Sequence, residues 1–230
     1  MTWKNPDWDG AAATLDAQGW ALLPNLLDAV AAARLCGLYE KAVFRSHVIM
    51  ARHGFGRGEY KYFSYPLPAP LTDLRTRLYA GLAPIANHWA QMRGEETRYP
   101  DDHADYLSHC HQAGQTRPTP LLLKYGAGDY NCLHQDLYGA HVFPLQVAVL
   151  LSRPGEDFTG GEFVITEQRP RAQSRVSVVP LGLGDAVAFA VHRRPVRGQR
   201  GVYTVNHRHG VSQLTAGSRY TLGIIFHDAA

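Results

Sequence analysis

The sequence predicts a mainly β domain with N-terminal helices (an α+β fold): a double-stranded β-helix, or jelly roll, buttressed by helices. Three observations predict it. The first half carries Ala- and Leu-rich stretches with apolar residues at helical spacing. After Pro118 the pattern changes to short β runs separated by Gly and Pro turns. Eight such runs follow one another, which suits two packed antiparallel sheets. We divide the 230 residues into an N-terminal helical support and substrate-loop region over 1–117 and a catalytic β core over 118–230, within one integrated domain.

Taken in order, Asp9 to Gln18 reads as a short helix stopped by Gly19, and Trp20-Ala-Leu-Leu-Pro24 as a strand. Leu26 to Val43 is rich in Ala and Leu and reads as one strong helix. Leu71 to Met92 is a second long helix, because Leu74, Leu78, Leu82, Ile85 and Trp89 recur on one face. Asp101 to Gln112 is a third, with Pro100 just ahead of it. The strands fall at about 120–125, 131–135, 145–152, 162–166, 175–179, 186–191, 202–207 and 219–227.

Composition is that of an ordinary globular protein, with 45% hydrophobic and 19% charged residues. The formal net charge of +3 does not by itself imply nucleic acid. Arginines are nonetheless crowded: Arg169, Arg171, Arg175, Arg193, Arg194, Arg197, Arg200 and Arg208 form either solvated loop charges or a phosphate-facing rim. The cysteines Cys36, Cys110 and Cys132 make no C-x-x-C motif and no disulfide framework, and no signal peptide is visible, so a cytoplasmic location is expected. No run approaches membrane-spanning length, and no obligate protein partner is expected.

The chemistry concentrates at His134-Gln135-Asp136 and His209. In a strand, residues i and i+2 point the same way, so His134 and Asp136 can grip one metal. Two imidazoles and one carboxylate make the facial triad of non-haem Fe(II) sites, which leaves positions open for other ligands. The third ligand must come from another strand. His207 and His209 share strand parity, and His192 is a weaker rival; the ten-residue spacing to Arg219 favours His209. Gly217 allows a turn between His209 and Arg219, which brings both into one cavity. A guanidinium near an iron with free cis positions suits a dicarboxylate, chelated at one end and salt-bridged at the other. Tyr125, on the strand entering the metal turn, and Thr221, two residues past Arg219, are candidates to bind the same carboxylate. His109-Cys110-His111 resembles a metal cluster by composition only, because neighbours on a helix diverge.

From Leu121 to Phe226 this pattern resembles the 2-oxoglutarate/Fe(II)-dependent dioxygenases. The resemblance implies iron held by His134, Asp136 and His209, 2-oxoglutarate anchored by Arg219, and O2 as the other co-substrate. 2-Oxoglutarate would be decarboxylated to succinate as a substrate C–H bond is oxidised. Lys124-Tyr125-Gly-Ala-Gly-Asp-Tyr-Asn-Cys-Leu-His134-Gln-Asp136 is similar to the metal turn of the alkylated-DNA-repair dioxygenases, and Arg219-Tyr220-x-Leu222 resembles their Arg-Tyr-Asn-Leu strand. Upstream, the segment from Phe44 to Phe63 and the following Tyr65-Pro66-Leu67-Pro68 resemble a bacterial oxygenase family predicted to demethylate damaged nucleic acid oxidatively. That resemblance covers nearly the whole chain.

The segment suits such a substrate. Arg52, Arg57 and Lys61 can meet phosphates while Phe55, Tyr60, Tyr62 and Phe63 stack on an unpaired base. Gly54, Gly56 and Gly58 would make a mobile loop over the site. His53 and His141 are further candidate substrate contacts. The sequence also departs from the repair enzymes: Leu123 stands where they carry Asn, and Ile225 where they carry a second Arg. The ten-residue spacing and the Gly160-Gly161-Glu162 turn, read as structural, are closer to prolyl hydroxylases, although those usually carry Lys in place of Arg219. The alternatives are therefore a protein or amino-acid hydroxylase and, without catalysis, a cupin-like ligand-binding module.

Overall fold

The computed structural model describes residues 3–230. Two antiparallel sheets face each other, and helices cover the outer side of the larger one. The N-terminal helix α1 (Trp8–Gln18) starts where the Asp7 carboxylate accepts from the Gly10 N–H at 3.0 Å. It stops at Gly19, whose φ of 82° only glycine adopts cheaply. Strand β1 (Trp20–Leu23) follows, then α2 (Ala29–Cys36), capped by Asp28.

The expected helix over 26–43 is shorter than its composition suggested. Asp28 starts it late, and Gly37 turns the chain into a 3-10 segment, Gly37–Glu40. The next stretch is a second correction. In place of a mobile loop, the chain builds β2 (Phe44–Ile49), a 3-10 turn (Met50–His53), β3 (Gly56–Arg57) and β4 (Glu59–Phe63). Gly56 and Gly58 serve close approach: a Cβ on Gly56 would sit 2.4 Å from the Tyr130 carbonyl oxygen, and one on Gly58 2.9 Å from Tyr125 Cδ1.

Helix α3 (Ala69–Met92) buries the expected face of Leu74, Leu78, Leu82, Ile85 and Trp89, and α4 (His103–Gln112) is capped by Asp102. The remaining strands are β5 (Leu121–Gly126), β6 (Tyr130–His134), β7 (Leu145–Leu150), β8 (Phe158–Gly160), β9 (Phe163–Gln168), β10 (Arg175–Val179), β11 (Ala186–Ala190), β12 (Arg193–Gly198), β13 (Gly201–Val211) and β14 (Leu214–Ile224). The larger sheet runs β1-β11-β7-β14-β5-β4-β2, with β8 beside β14. The smaller runs β10-β9-β13-β6-β3, with β12 beside β13. Strands β1 and β4, from the first half of the chain, hydrogen-bond to β11 and β5 from the second.

The period of two along each strand sorts the core into two layers. Val147 and Val149 of β7 pack outward on α3 together with Leu222 and Ile224. Ala148 and Leu150 turn inward to meet Phe163, Ile165 and Val211 of the opposite sheet. Strand β7, covered on both sides, is apolar at every position except Gln146. No helix of the described residues is long and apolar enough to cross a membrane.

Candidate active site

The open end of the space between the sheets is a cavity of about 350 Å³, lined by residues of β4, β5, β6, β7, β11, β13 and β14. His134 ends β6, and the backbone pairing sets it directly across from His209 on β13. Their rings lie 4.2 Å apart, centroid to centroid. Asp136 joins them: Oδ1 is 3.5 Å from His134 Nε2, and Oδ2 is 3.4 Å from His209 Nε2. The three ligand atoms all fall within 4.8 Å of one another, and this is the only such His/Cys/Asp/Glu group found among the described residues.

Orientation and charge suit a metal. His134 Nδ1 donates to the Cys132 carbonyl at 2.8 Å, which turns Nε2 toward the site. Burial raises the Asp136 pKa, but the hydrogen bond and charge of His209, the charge of His134 and the Tyr138 hydroxyl together hold it far below the usual carboxylate range. Burial, reinforced by His134, lowers the pKa of His209, against the pull of Asp136. An ionised carboxylate and a neutral imidazole are the forms that bind a cation. Phe163 and Phe189 wall His209 from the far side.

The rival histidines are employed elsewhere. His207 is fully buried beneath α1, where Arg194 Nε donates to its Nε2 at 3.3 Å. Arg194 also pairs with Glu167 at 2.5 Å, so this arginine belongs to the interior and not to a phosphate-facing rim. Arg169 and Arg175 converge on the same carboxylate. His192 and the His109-Cys110-His111 run contribute no atom to the convergent group.

Arg219 on β14 sits opposite Tyr125 on β5, and both side chains reach the cavity. The guanidinium is 1% exposed, yet no carboxylate of the described residues lies within 4 Å of it. Its Nη1 donates to Thr221 Oγ1 at 2.6 Å, and its Nε has no hydrogen-bond partner. Burial pushes its pKa down to about 10. The Tyr125 hydroxyl is likewise buried; the Asn131 side chain lies beside it at a geometry short of a hydrogen bond. A buried cation without an anion, next to a phenol and a threonine hydroxyl, is a cradle for a carboxylate.

Of the expected substrate contacts, Phe55, Tyr60 and Tyr62 line the cavity. His53 is exposed and stacks on Phe55 at 5.3 Å. Arg52 is exposed beside them, and Arg57 is 61% exposed with its Nε 3.9 Å from Asp129. Lys61 is a correction: alternation along β4 turns it to the opposite face, where its ammonium donates to the Tyr39 carbonyl at 2.9 Å. His141 does not line the cavity; its backbone is held by Gln115 while the residue faces solvent.

Three residues of this site escaped the sequence reading. Tyr138 donates to Asp136 Oδ1 at 2.7 Å, and its position two past Asp136 was the available signal. Gln146 lines the cavity with its Nε2 buried and unpartnered; a lone amide in the apolar run 145–150 was its signal. Gln115, from the loop after α4, gave no local sign.

Comparison with known proteins agrees with this geometry. Residues 58–229, about three-quarters of the chain, match the model of a family described as an oxygenase catalysing oxidative methylation of damaged DNA. An uncharacterised protein of Mycobacterium tuberculosis is 51% identical over 168 residues, covering 73% of this chain and 72% of that protein. In fold, the chain is similar to a prolyl 4-hydroxylase of Pseudomonas putida (13% identity, TM-score 0.57, 97% of this chain and 99% of that one). It is also similar to an oxidoreductase of the 2OG-Fe(II) oxygenase family from Burkholderia pseudomallei (18% identity, TM-score 0.58, 100% and 96%). A purely ligand-binding module is thereby set aside, and the chain belongs to this oxygenase family.

Proposed function

We propose that the protein oxidatively demethylates a base of single-stranded or damaged nucleic acid. In this reading His134, Asp136 and His209 hold Fe(II). Arg219, with Thr221 and Tyr125, holds the distal carboxylate of 2-oxoglutarate. The donor set fits, since two nitrogens and one oxygen suit Fe(II) and leave half of an octahedron open. The unpaired guanidinium fits the dianion. With O2 and 2-oxoglutarate, the iron supplies the oxidation: one oxygen atom ends in succinate, the other in the substrate, and carbon dioxide leaves.

The protein's own groups then orient and exclude. Phe163 and Phe189 keep the inner wall apolar behind His209. Tyr60, Tyr62 and Phe55 offer flat surfaces on the cavity wall. Adding a methyl group requires a methyl donor and no oxidant, so we read the direction as removal. Oxygen inserted into an N–CH3 group gives N–CH2OH, which releases formaldehyde.

One observation carries the choice of substrate: the exposed, stacked His53–Phe55 pair at the cavity mouth, flanked by the exposed Arg52 and Arg57. Such an aromatic and basic rim suits an unpaired base and its phosphates, and the family description is of the same kind. The three cysteines are free, in keeping with a reducing cytoplasm, where we place the protein. The second reading, a protein or amino-acid hydroxylase, rests on the Gly160-Gly161-Glu162 turn and on the apolar exposure of Leu133 and Leu137 near the mouth. The deciding experiment supplies methylated single-stranded oligonucleotides and proline-containing peptides in parallel. Formaldehyde from the oligonucleotides supports demethylation. Peptides that gain one oxygen atom while the oligonucleotides stay intact would transfer the conclusion to the second reading.

A further inference from the structure

Tyr138 lies in an irregular segment between β6 and β7. A segment of that kind needs a clamp if it is to hold a side chain in one place, and Gln115 provides it. This residue is 1% exposed. Its Nε2, with two N–H groups, lies within hydrogen-bonding distance of three carbonyls, those of Tyr138 and His141, both at 3.0 Å, and that of Asp228 at 2.6 Å, so one N–H is shared between two of them. Its Oε1 accepts from the His141 N–H at 2.7 Å. Gly139 lets the segment close down, since its φ is 89° and a Cβ there would stand 2.4 Å from Gln115 Cδ. So held, the Tyr138 hydroxyl donates to Asp136 Oδ1 at 2.7 Å and accepts from the Tyr62 hydroxyl at 3.2 Å.

We propose that Tyr138 is a positioning residue that sets how Asp136 meets the iron: by engaging Oδ1 it leaves Oδ2 as the single ligand atom, and Gln115 holds Tyr138 in place to do so. The inference rests on the iron site proposed above. A carboxylate with both oxygens free can chelate and occupy two coordination positions. One with Oδ1 engaged occupies one and leaves room for a chelating co-substrate and a further ligand. Tyr62 belongs to β4 on the cavity wall, so the chain Tyr62–Tyr138–Asp136 joins the substrate side of the cavity to the metal ligand.

The test uses Co(II) in place of iron and measures its affinity and visible absorption with and without 2-oxoglutarate. Tyr138→Phe removes one oxygen and keeps the ring. We expect about 10–100-fold weaker Co(II) binding, a changed absorption band in the presence of 2-oxoglutarate, and an unchanged circular dichroism spectrum. Wild-type affinity together with a wild-type band would overturn the proposal. Tyr62→Phe removes only the donor to Tyr138 and keeps the question answerable if the first variant folds badly: a smaller band shift in the same direction is expected, and no shift would overturn the chain. His134→Ala separates the two levels of inference. Its loss of Co(II) binding, with Tyr138→Phe unaffected, sinks the role of Tyr138 alone, whereas retained binding in His134→Ala sinks the iron site and this inference with it.

Discussion

Replacing Arg219 by Met should separate binding from stability. Arg219 is 1% exposed, and burial pushes its pKa well below the ordinary guanidinium range, to about 10. One pKa unit is about 1.4 kcal/mol, so keeping this charge inside costs the fold about 3 kcal/mol. Against that stand the hydrogen bond to Thr221, worth about 1 kcal/mol, and contacts over the rings of Tyr125 and Phe158 at 5.7 and 5.8 Å, about 0.5–1 kcal/mol each. Methionine keeps much of the apolar stem. The terms nearly cancel, so the metal-free variant should melt within a few degrees of wild type or above it. Binding should behave differently. Two charge-assisted hydrogen bonds to a carboxylate contribute about 3–6 kcal/mol, so the Kd for 2-oxoglutarate should rise by at least about 100-fold. Calorimetric titration of 2-oxoglutarate into the Co(II) protein, beside thermal melts of the metal-free protein, gives both numbers. A variant that melts far below wild type and still binds 2-oxoglutarate normally would show that Arg219 is structural and refute this reasoning.

Other consequences follow from the same contacts. Changing Arg52 and Arg57 together to Ala should weaken binding of single-stranded oligonucleotides and flatten its salt dependence, while Lys61→Ala should leave both unchanged, as filter binding over a salt series would reveal. Asp228→Asn should destabilise by about 3–5 kcal/mol in urea titrations, since it leaves the buried Arg75 guanidinium without its carboxylate; a loss below 1 kcal/mol contradicts this. Gly161→Ala should lower both stability and 2-oxoglutarate affinity, because φ is 65° and a Cβ would press on Leu214 and on Arg219 Cδ; unchanged affinity would argue against that contact. Burial depresses His103 to about 3 and His227 to about 4. Between pH 6.5 and those values the unfolded chain takes up protons that the folded one does not, so stability should fall as pH drops through that window. Urea midpoints that stay level from pH 7 to 5 would contradict it.

Much of this was legible in the sequence because it is local. The i, i+2 spacing of His134 and Asp136 and the apolar stripe of α3 each express themselves within a few residues. The ladder that sets His209 across from His134 is long-range, and the expected hairpin between His209 and Arg219 does not form: the chain crosses at 212–213 to the other sheet, where Gly217 lies inside β14 and Arg219 reaches the cavity from the facing side. What was not legible depends on distant partners. Glycines at 54, 56 and 58 look like flexibility, but their positive φ values build strand crossings between β2, β3, β4 and β6. Lys61 looks like a phosphate contact until pairing with β5 decides which way β4 faces. Gln115 acts on the metal loop through contacts spanning more than twenty residues, and nothing near it in sequence announces that.

The central claim is that His134, Asp136, His209 and Arg219 form one working centre. Succinate formation from 2-oxoglutarate with Fe(II), O2 and ascorbate tests it most directly, with wild type set beside His134→Ala and Arg219→Ala. The account predicts turnover in wild type that disappears without iron, disappears in His134→Ala, and falls by at least about 100-fold in Arg219→Ala at low 2-oxoglutarate. Turnover that persists in His134→Ala would contradict it.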